Sequence, residues 1–203
     1  MPARVRLALM LFASLAILGS AGVIVFAKPD DATPARADGF AGSQPPPDIT
    51  VRDFALRDQD GRQASLREYR GQVVVLTFMY STCQDTCPVT ATTIRGALNQ
   101  VGHDVPTLAI SVDPAHDTPD NAERFLLKEG LSAGRMRFLL GTRAQLAPIW
   151  EAYGIAPETK KFEHSAYVLV LDKRGRQKVS FPVDQLTDAK LAHDIRKLEA
   201  ETV

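Results

Sequence analysis

The sequence predicts an α/β fold, a central mixed sheet flanked by helices, preceded by an N-terminal transmembrane helix. Three observations carry this expectation. Residues 7–27 form an uncharged run dominated by Leu, Ala, Ile, Val and Phe, behind Arg4 and Arg6. Residues 73–79, 107–112 and 166–171 are short apolar runs of the kind that form strands buried on both faces. Segments with helical periodicity or helix-start signals alternate with them. Composition narrows the field further. The 203 residues carry 24 basic and 24 acidic side chains, a net charge of zero. That balance argues against an electrostatic nucleic-acid binder. A 45% hydrophobic content argues against a disordered chain.

The elements follow in order. As a helix, residues 7–27 would span about 31 Å, close to the roughly 30 Å hydrocarbon core. Arginines on the short N-terminal side place everything after Lys28 outside the cytoplasm. A cleaved leader ending at Val25-Phe26-Ala27 is the alternative, and it exports the chain equally. The expectation is a single-pass protein of a bacterial inner membrane with its C-terminal domain in the periplasm. Residues 28–48 hold five prolines and few large apolar side chains, so they read as a flexible tether. Residues 49–203 are enough for one domain with a proper core.

Within that domain, residues 51–56 and 62–64 flank the turn Asp58-Gln59-Asp60-Gly61 as a small hairpin. Ser65-Leu66-Arg67-Glu68 has the form of a capping box. Residues 73–79 are the first core strand. A helix beginning near Pro88 carries Ile94, Leu98 and Val101 on one face. Residues 107–112 are the second core strand, and residues 120–129 a helix between Pro119 and Gly130. Thr142 can cap a helix over residues 144–153. Residues 166–171 are the third core strand, hairpinned to residues 177–181 through Asp172-Lys173-Arg174-Gly175. Thr187 caps a closing helix over residues 188–198. Strand, helix, strand, helix, then a hairpin and a final helix is the plan of a thioredoxin-like sandwich.

Cys83 and Cys87 are the only cysteines, too few for a four-thiolate zinc site or a disulfide-dense scaffold. They follow the first core strand and open its helix, where exposed N–H groups and the helix dipole stabilise a thiolate. Three readings compete. A structural disulfide would close so short a loop that its entropic benefit is small. A dithiol redox enzyme more typically carries C-x-x-C, one residue fewer than this pair. A metal site needs further ligands. His103 stands at a helix end and reads as an exposed loop residue. His116 lies in a turn-rich segment, and His193 in the last helix among polar neighbours. His164 immediately precedes the third core strand, in the loop that faces the cysteine helix in such a sandwich. Two thiolates and an imidazole suit Cu(I) or zinc, and zinc normally wants a fourth ligand. Asp113 and Asp117 read as turn stabilisers through Asx hydrogen bonds, with shaping of the surface beside the site as the alternative.

Phe78-Met79-Tyr80-Ser81-Thr82-Cys83-Gln84-Asp85-Thr86-Cys87-Pro88 resembles the C-x-x-x-C-P signature of the Sco/SenC family of copper-binding assembly proteins. Ser111-Val112-Asp113-Pro114-Ala115-His116-Asp117-Thr118-Pro119 resembles that family's S-[VI]-D-P-x-x-D-T-P segment. Gly141-Thr142 and Glu163-His164-Ser165 match two further blocks in the right order. The chain departs from the pattern at Gln84, where members commonly have Pro, and at Glu163, where Asp is frequent.

The resemblance implies that Cys83, Cys87 and His164 bind copper, as Cu(I) with Cu(II) left open, and that Cys83 and Cys87 form a redox-active disulfide. It implies a metallochaperone maturing the binuclear copper site of cytochrome c oxidase subunit II, with the copper donor unidentified. A membrane-tethered thiol–disulfide reductase is the alternative. Monomer and weak dimer both stay open.

Overall fold

The computed structural model describes residues 39–45, 52–132, 134–156 and 167–202. All of them belong to one of the two units into which the chain divides, residues 36–203. The expected anchor over residues 1–27, its alternative cleavage site, most of the tether and His164 lie outside the described residues. Among the described residues no helix is long and apolar enough to cross a membrane.

Seven strands form one mixed sheet. In chain order they are β1 (Ala55–Asp58), β2 (Gln63–Ser65), β3 (Val74–Met79), β4 (Thr107–Ser111), β5 (Arg137–Leu140), β6 (Tyr167–Leu171) and β7 (Gln177–Pro182). Across the sheet the order is β2-β1-β5-β4-β3-β6-β7. β3, β4 and β5 run parallel, while β1 is antiparallel to β5, and β6 is antiparallel to β3. Among the described residues four α-helices cover the faces: α1 (Thr86–Val101), α2 (Pro119–Glu129), α3 (Arg143–Ala152) and α4 (Asp188–Ala200). The thioredoxin-like α/β arrangement, with a mixed sheet flanked by helices, is present.

The pleat sends alternate side chains to opposite faces, and each face has its own core. Val75 and Met79 of β3, Ala109 of β4, and Val168 and Val170 of β6 pack with α1, α2 and α4. Val74, Leu76 and Phe78 of β3 pack the other way, against Leu146, Ile149 and Trp150 of α3. Burial on both faces explains why these strands read as continuous apolar runs.

Helix ends follow the sequence closely. Thr118 caps α2 through a bond from the Asn121 N–H, and Gly130 ends that helix in the left-handed conformation at φ 68°. Thr142 forms a capping box with Gln145, and Thr187 accepts from the Lys190 N–H. The expected capping box at Ser65–Glu68 does not form. Ser65 makes no side-chain cap bond, and a 3-10 turn, Leu66–Tyr69, follows it. Glu68 instead pairs with Arg137 Nη1 at 3.2 Å. Arg137 also binds Asp58 Oδ2 at 2.8 Å and the Tyr69 hydroxyl at 2.6 Å, so a long-range ion cluster outcompetes the local cap.

Two features depart from the sequence reading. β5 was not expected: its four residues, Arg-Phe-Leu-Leu, are too few to show a period, and Arg137 interrupts the apolar pattern. Residues 39–45, read as tether, are docked on the domain. Phe40 is buried in the core beneath Lys197, whose ammonium lies 5.0 Å from the ring centroid. Ser43 pairs with Ser180 through two backbone bonds of 2.9 and 2.7 Å. Between them, the fully buried Asp194 accepts the N–H groups of Ala41 and Gly42 at 2.8 and 2.9 Å. A Cβ at Gly42 would collide with Val179 and Phe181, so only glycine allows this close approach.

Candidate metal centre

β3 delivers the chain into the site. After Met79 a turn through Tyr80 and Ser81 brings Cys83 to the start of α1, and Cys87 falls in that helix's first turn. Cys87 is on the buried stripe of α1 with Thr90, Ala91, Ile94, Ala97 and Leu98. The same periodicity that packs the helix therefore aims the second sulfur inward. Cys83 retains 8% exposure and Cys87 only 1%, so the pair is a shielded step with its outer sulfur nearer solvent.

Both cysteines are thiols. Cys83 Sγ accepts the Cys87 N–H at 3.4 Å, within the range of a weak sulfur hydrogen bond. The Asp85 side chain makes no cap bond, so the sulfur serves one of the orphan donors of the helix N-terminus. The Cys87 thiol, as hydrogen-bond donor, is the main influence holding the Cys83 thiol down to about 5. Burial opposes it, while the Asp85 and Cys87 N–H groups and the Tyr80 hydroxyl assist. The same bond, with burial second, pushes Cys87 far up. The two shifts run in opposite directions, favouring charge on Cys83 and the proton on Cys87. A nucleophile and its proton reservoir stand side by side.

The loop is tied down from outside the pair. Asp117 Oδ1 accepts both the N–H of Ser81 at 2.7 Å and its hydroxyl at 2.5 Å, and Oδ2 accepts the Ser111 hydroxyl at 2.5 Å. Burial raises the Asp117 carboxyl above its usual range, against the pull of those hydrogen bonds. Asp117 thus reaches across to the cysteine loop, which corrects its reading as a local turn stabiliser. Asp113 accepts from His116 Nδ1 at 2.7 Å on the surface. Tyr80 was also missed; it packs against both cores as well as bonding Cys83. No spacing in the sequence announces a partner 36 residues away.

The histidines divide cleanly. His103 pairs with Glu199, His116 with Asp113 and His193 with Asp194, each at 2.7 to 2.8 Å. Each of these imidazoles is exposed and already engaged by its carboxylate. His164 lies outside the described residues, so the described part brings together Cys83 and Cys87 alone. Among the described residues no three His, Cys, Asp or Glu side chains converge as a metal site.

A family model described as SCO1/SenC matches residues 42–200. The SCO1 protein homolog of Bacillus subtilis is 32% identical over 99 residues, covering 47% of this chain and 51% of that protein. The chain thus spans about half the length of that relative. A SCO2-like protein of Rickettsia prowazekii is 27% identical over 145 residues, 64% and 68% of the two chains. Among solved structures, copper-bound ScoI of Bradyrhizobium japonicum is similar with a TM-score of 0.61 at 26% identity, over 73% of this chain and 98% of that one. BsSco, described as a member of the Sco family of cytochrome c oxidase assembly proteins, gives 0.67 at 21% identity, over 79% and 99%. That last likeness bears on the fold alone. With the matched region running from the docked N-terminal segment to the closing helix, the chain belongs to the SCO1/SenC family.

Proposed function

We propose that the protein is a copper chaperone that holds copper through Cys83, Cys87 and His164 and passes it to the binuclear copper site of cytochrome c oxidase subunit II. The observation that carries this reading is the sulfur pair itself, two soft donors on one step of the fold, with Cys83 Sγ accepting the Cys87 N–H at 3.4 Å. Soft thiolates select Cu(I) over hard cations. Capture by both sulfurs would release the Cys87 proton, so loading is linked to pH.

Topology supports His164 as the third ligand. β6 begins three residues after His164, and its Tyr167 carbonyl accepts the Thr77 hydroxyl at 3.1 Å, at the end of β3 that feeds the cysteine loop. Three residues reach at most about 11 Å. A three-ligand site lets a recipient thiolate or imidazole join before a leaving ligand departs. Two of the exposed large apolar side chains, Val89 just past Cys87 and Tyr167, suit a docking polypeptide there. Residues 1–27 would hold the domain at the outer face of a bacterial inner membrane, on a tether shortened by the docking of residues 39–45.

Chelator-competed Cu(I) titration of the reduced full-length chain tests the site. One copper should bind, with loss of binding in Cys83→Ser and in Cys87→Ser and a clear weakening in His164→Ala. Unchanged affinity in His164→Ala would remove the third ligand from the reading.

The charge on Cys83 also favours a second reading, a thiol–disulfide reductase. The Cys83 thiolate would attack a recipient disulfide and expel one thiolate. Cys87 would then lose its proton and attack Cys83, leaving a Cys83–Cys87 disulfide and a reduced recipient. The two readings are compatible, because recipient cysteines must be thiolates before copper enters. The Cys83–Cys87 potential relative to the recipient's decides whether this reaction runs.

A further inference from the structure

Asp117 is 8% exposed and forms no ion pair among the described residues, yet three short hydrogen bonds converge on its carboxylate. Its own position is fixed. Its N–H donates to the Asp113 carbonyl at 2.9 Å, and the next residue, Thr118, caps α2. Ser111, the last residue of β4, is held in turn by Trp150, whose Nε1 donates to the Ser111 carbonyl at 2.9 Å. The acceptor therefore stands on two rigid elements. What it grips is Ser81, two residues before Cys83. Two further ties of that loop are longer, 3.3 Å from the Cys83 N–H to the Tyr80 carbonyl and 3.4 Å between the cysteines.

We infer that Asp117 is a positioning residue for the dithiol: by clamping Ser81 against β4 it presets the cysteine loop for its cargo or for disulfide exchange. The inference rests on the proposed role of Cys83 and Cys87 for its purpose, but the clamp can be tested without copper. It is a hydrogen-bonding role and not a charge effect. An Asn at this position keeps an oxygen for the Ser81 N–H and can donate to the Ser111 hydroxyl, whose own hydrogen is free to rotate. An Ala keeps neither.

The test compares full-length wild type, Asp117→Asn, Asp117→Ala and Ser81→Ala, all reduced. Amide hydrogen exchange is followed in residues 81–87 and, as a control, in β7; alkylation of Cys83 by iodoacetamide and chelator-competed Cu(I) affinity complete the readout. In Asp117→Ala, exchange over residues 81–87 should accelerate about tenfold, the scale of one lost hydrogen bond. β7 should be unchanged, and Cu(I) affinity should fall by a similar factor. Asp117→Asn should stay within about twofold of wild type, and Ser81→Ala should fall between. Loop exchange unchanged in Asp117→Ala would overturn the inference. So would acceleration across β7 as well, which marks general support of the fold, or an Asn variant that behaves like Ala, which marks charge. If Asp117→Ala does not fold, Ser81→Ala and Asp117→Asn decide the same question. A wild type that binds no Cu(I) would defeat the copper reading alone, since exchange and alkylation still decide the clamp.

Discussion

Two buried carboxylates do similar jobs in different parts of the domain. Asp117 gathers Ser81 and Ser111 beside the cysteines, and Asp194 gathers the backbone of Ala41 and Gly42 on α4. Each joins segments far apart in sequence, 36 residues in one case and over 150 in the other. Their settings differ. The Asp194 segment is also fastened by Phe40 in the core and by a strand-like bridge at Ser43, so its carboxylate is one of several holds. The cysteine loop is held by backbone and sulfur hydrogen bonds as well as by Asp117. Under the proposed function its sulfurs need some access to solvent and partners, which apolar packing on every side would deny. A polar clamp that leaves one side open fits that need. The comparison separates a tie that holds the N-terminal segment from one that holds the loop carrying Cys83.

That separation can be broken by measurement. The largest effect is expected at Phe40. Phe40→Ala should destabilise the protein by about 3 kcal/mol in chemical denaturation while leaving the Cys83 alkylation rate unchanged. Altered Cys83 reactivity would mean that the two regions are coupled. Asp194→Ala leaves two backbone donors without their acceptor and should cost about 2 kcal/mol, again without effect on the thiols. Ser43→Pro removes one bridge bond and should cost about 1 kcal/mol.

The thiols offer a pH test with a definite sign. The Cys83 pKa is lowered on folding to about 5, from a usual thiol value of about 8.5. Its contribution to stability is therefore fully present above the unfolded value and is lost as pH falls through about 5. Wild type should lose more stability than Cys83→Ser as pH is lowered from 9 toward 5, and Cys83 alkylation should titrate with a midpoint near 5. Asp117 carries the opposite sign. Its carboxyl is raised by burial, so its contribution is present below the ordinary carboxylate value of about 3.9 and is lost as pH rises through the folded value. Asp117→Asn should therefore gain stability relative to wild type as pH rises from 3 to 7, the smallest of these effects. A constant difference across that range would remove the burial penalty assigned to Asp117.

These contrasts also show what a sequence can disclose. The run from Val74 to Met79, the Gly130 stop and the Thr142 and Thr187 caps are local signals, written within a few residues of where they act. The cysteine pair at the start of α1 is local in the same way. Asp117, Asp194 and Phe40 act on partners brought near only by the fold, so no period or spacing marks them. β5 was hidden for another reason, since its four residues form a strand only because β4 and β1 offer edges on either side. Ser65 and Glu68 had the right local chemistry, but Arg137 claimed the glutamate.

The bridge at Ser43 has a further consequence for how molecules of this chain meet one another. β7 is the last strand of the sheet, and its outer hydrogen-bonding groups would invite strands from neighbouring molecules. The docked segment occupies Ser180 at the middle of that edge. The opposite margin, β2, is only three residues long. One edge is occupied at its middle and the other is kept short, so crowded molecules offer each other little backbone from which to build an aggregate.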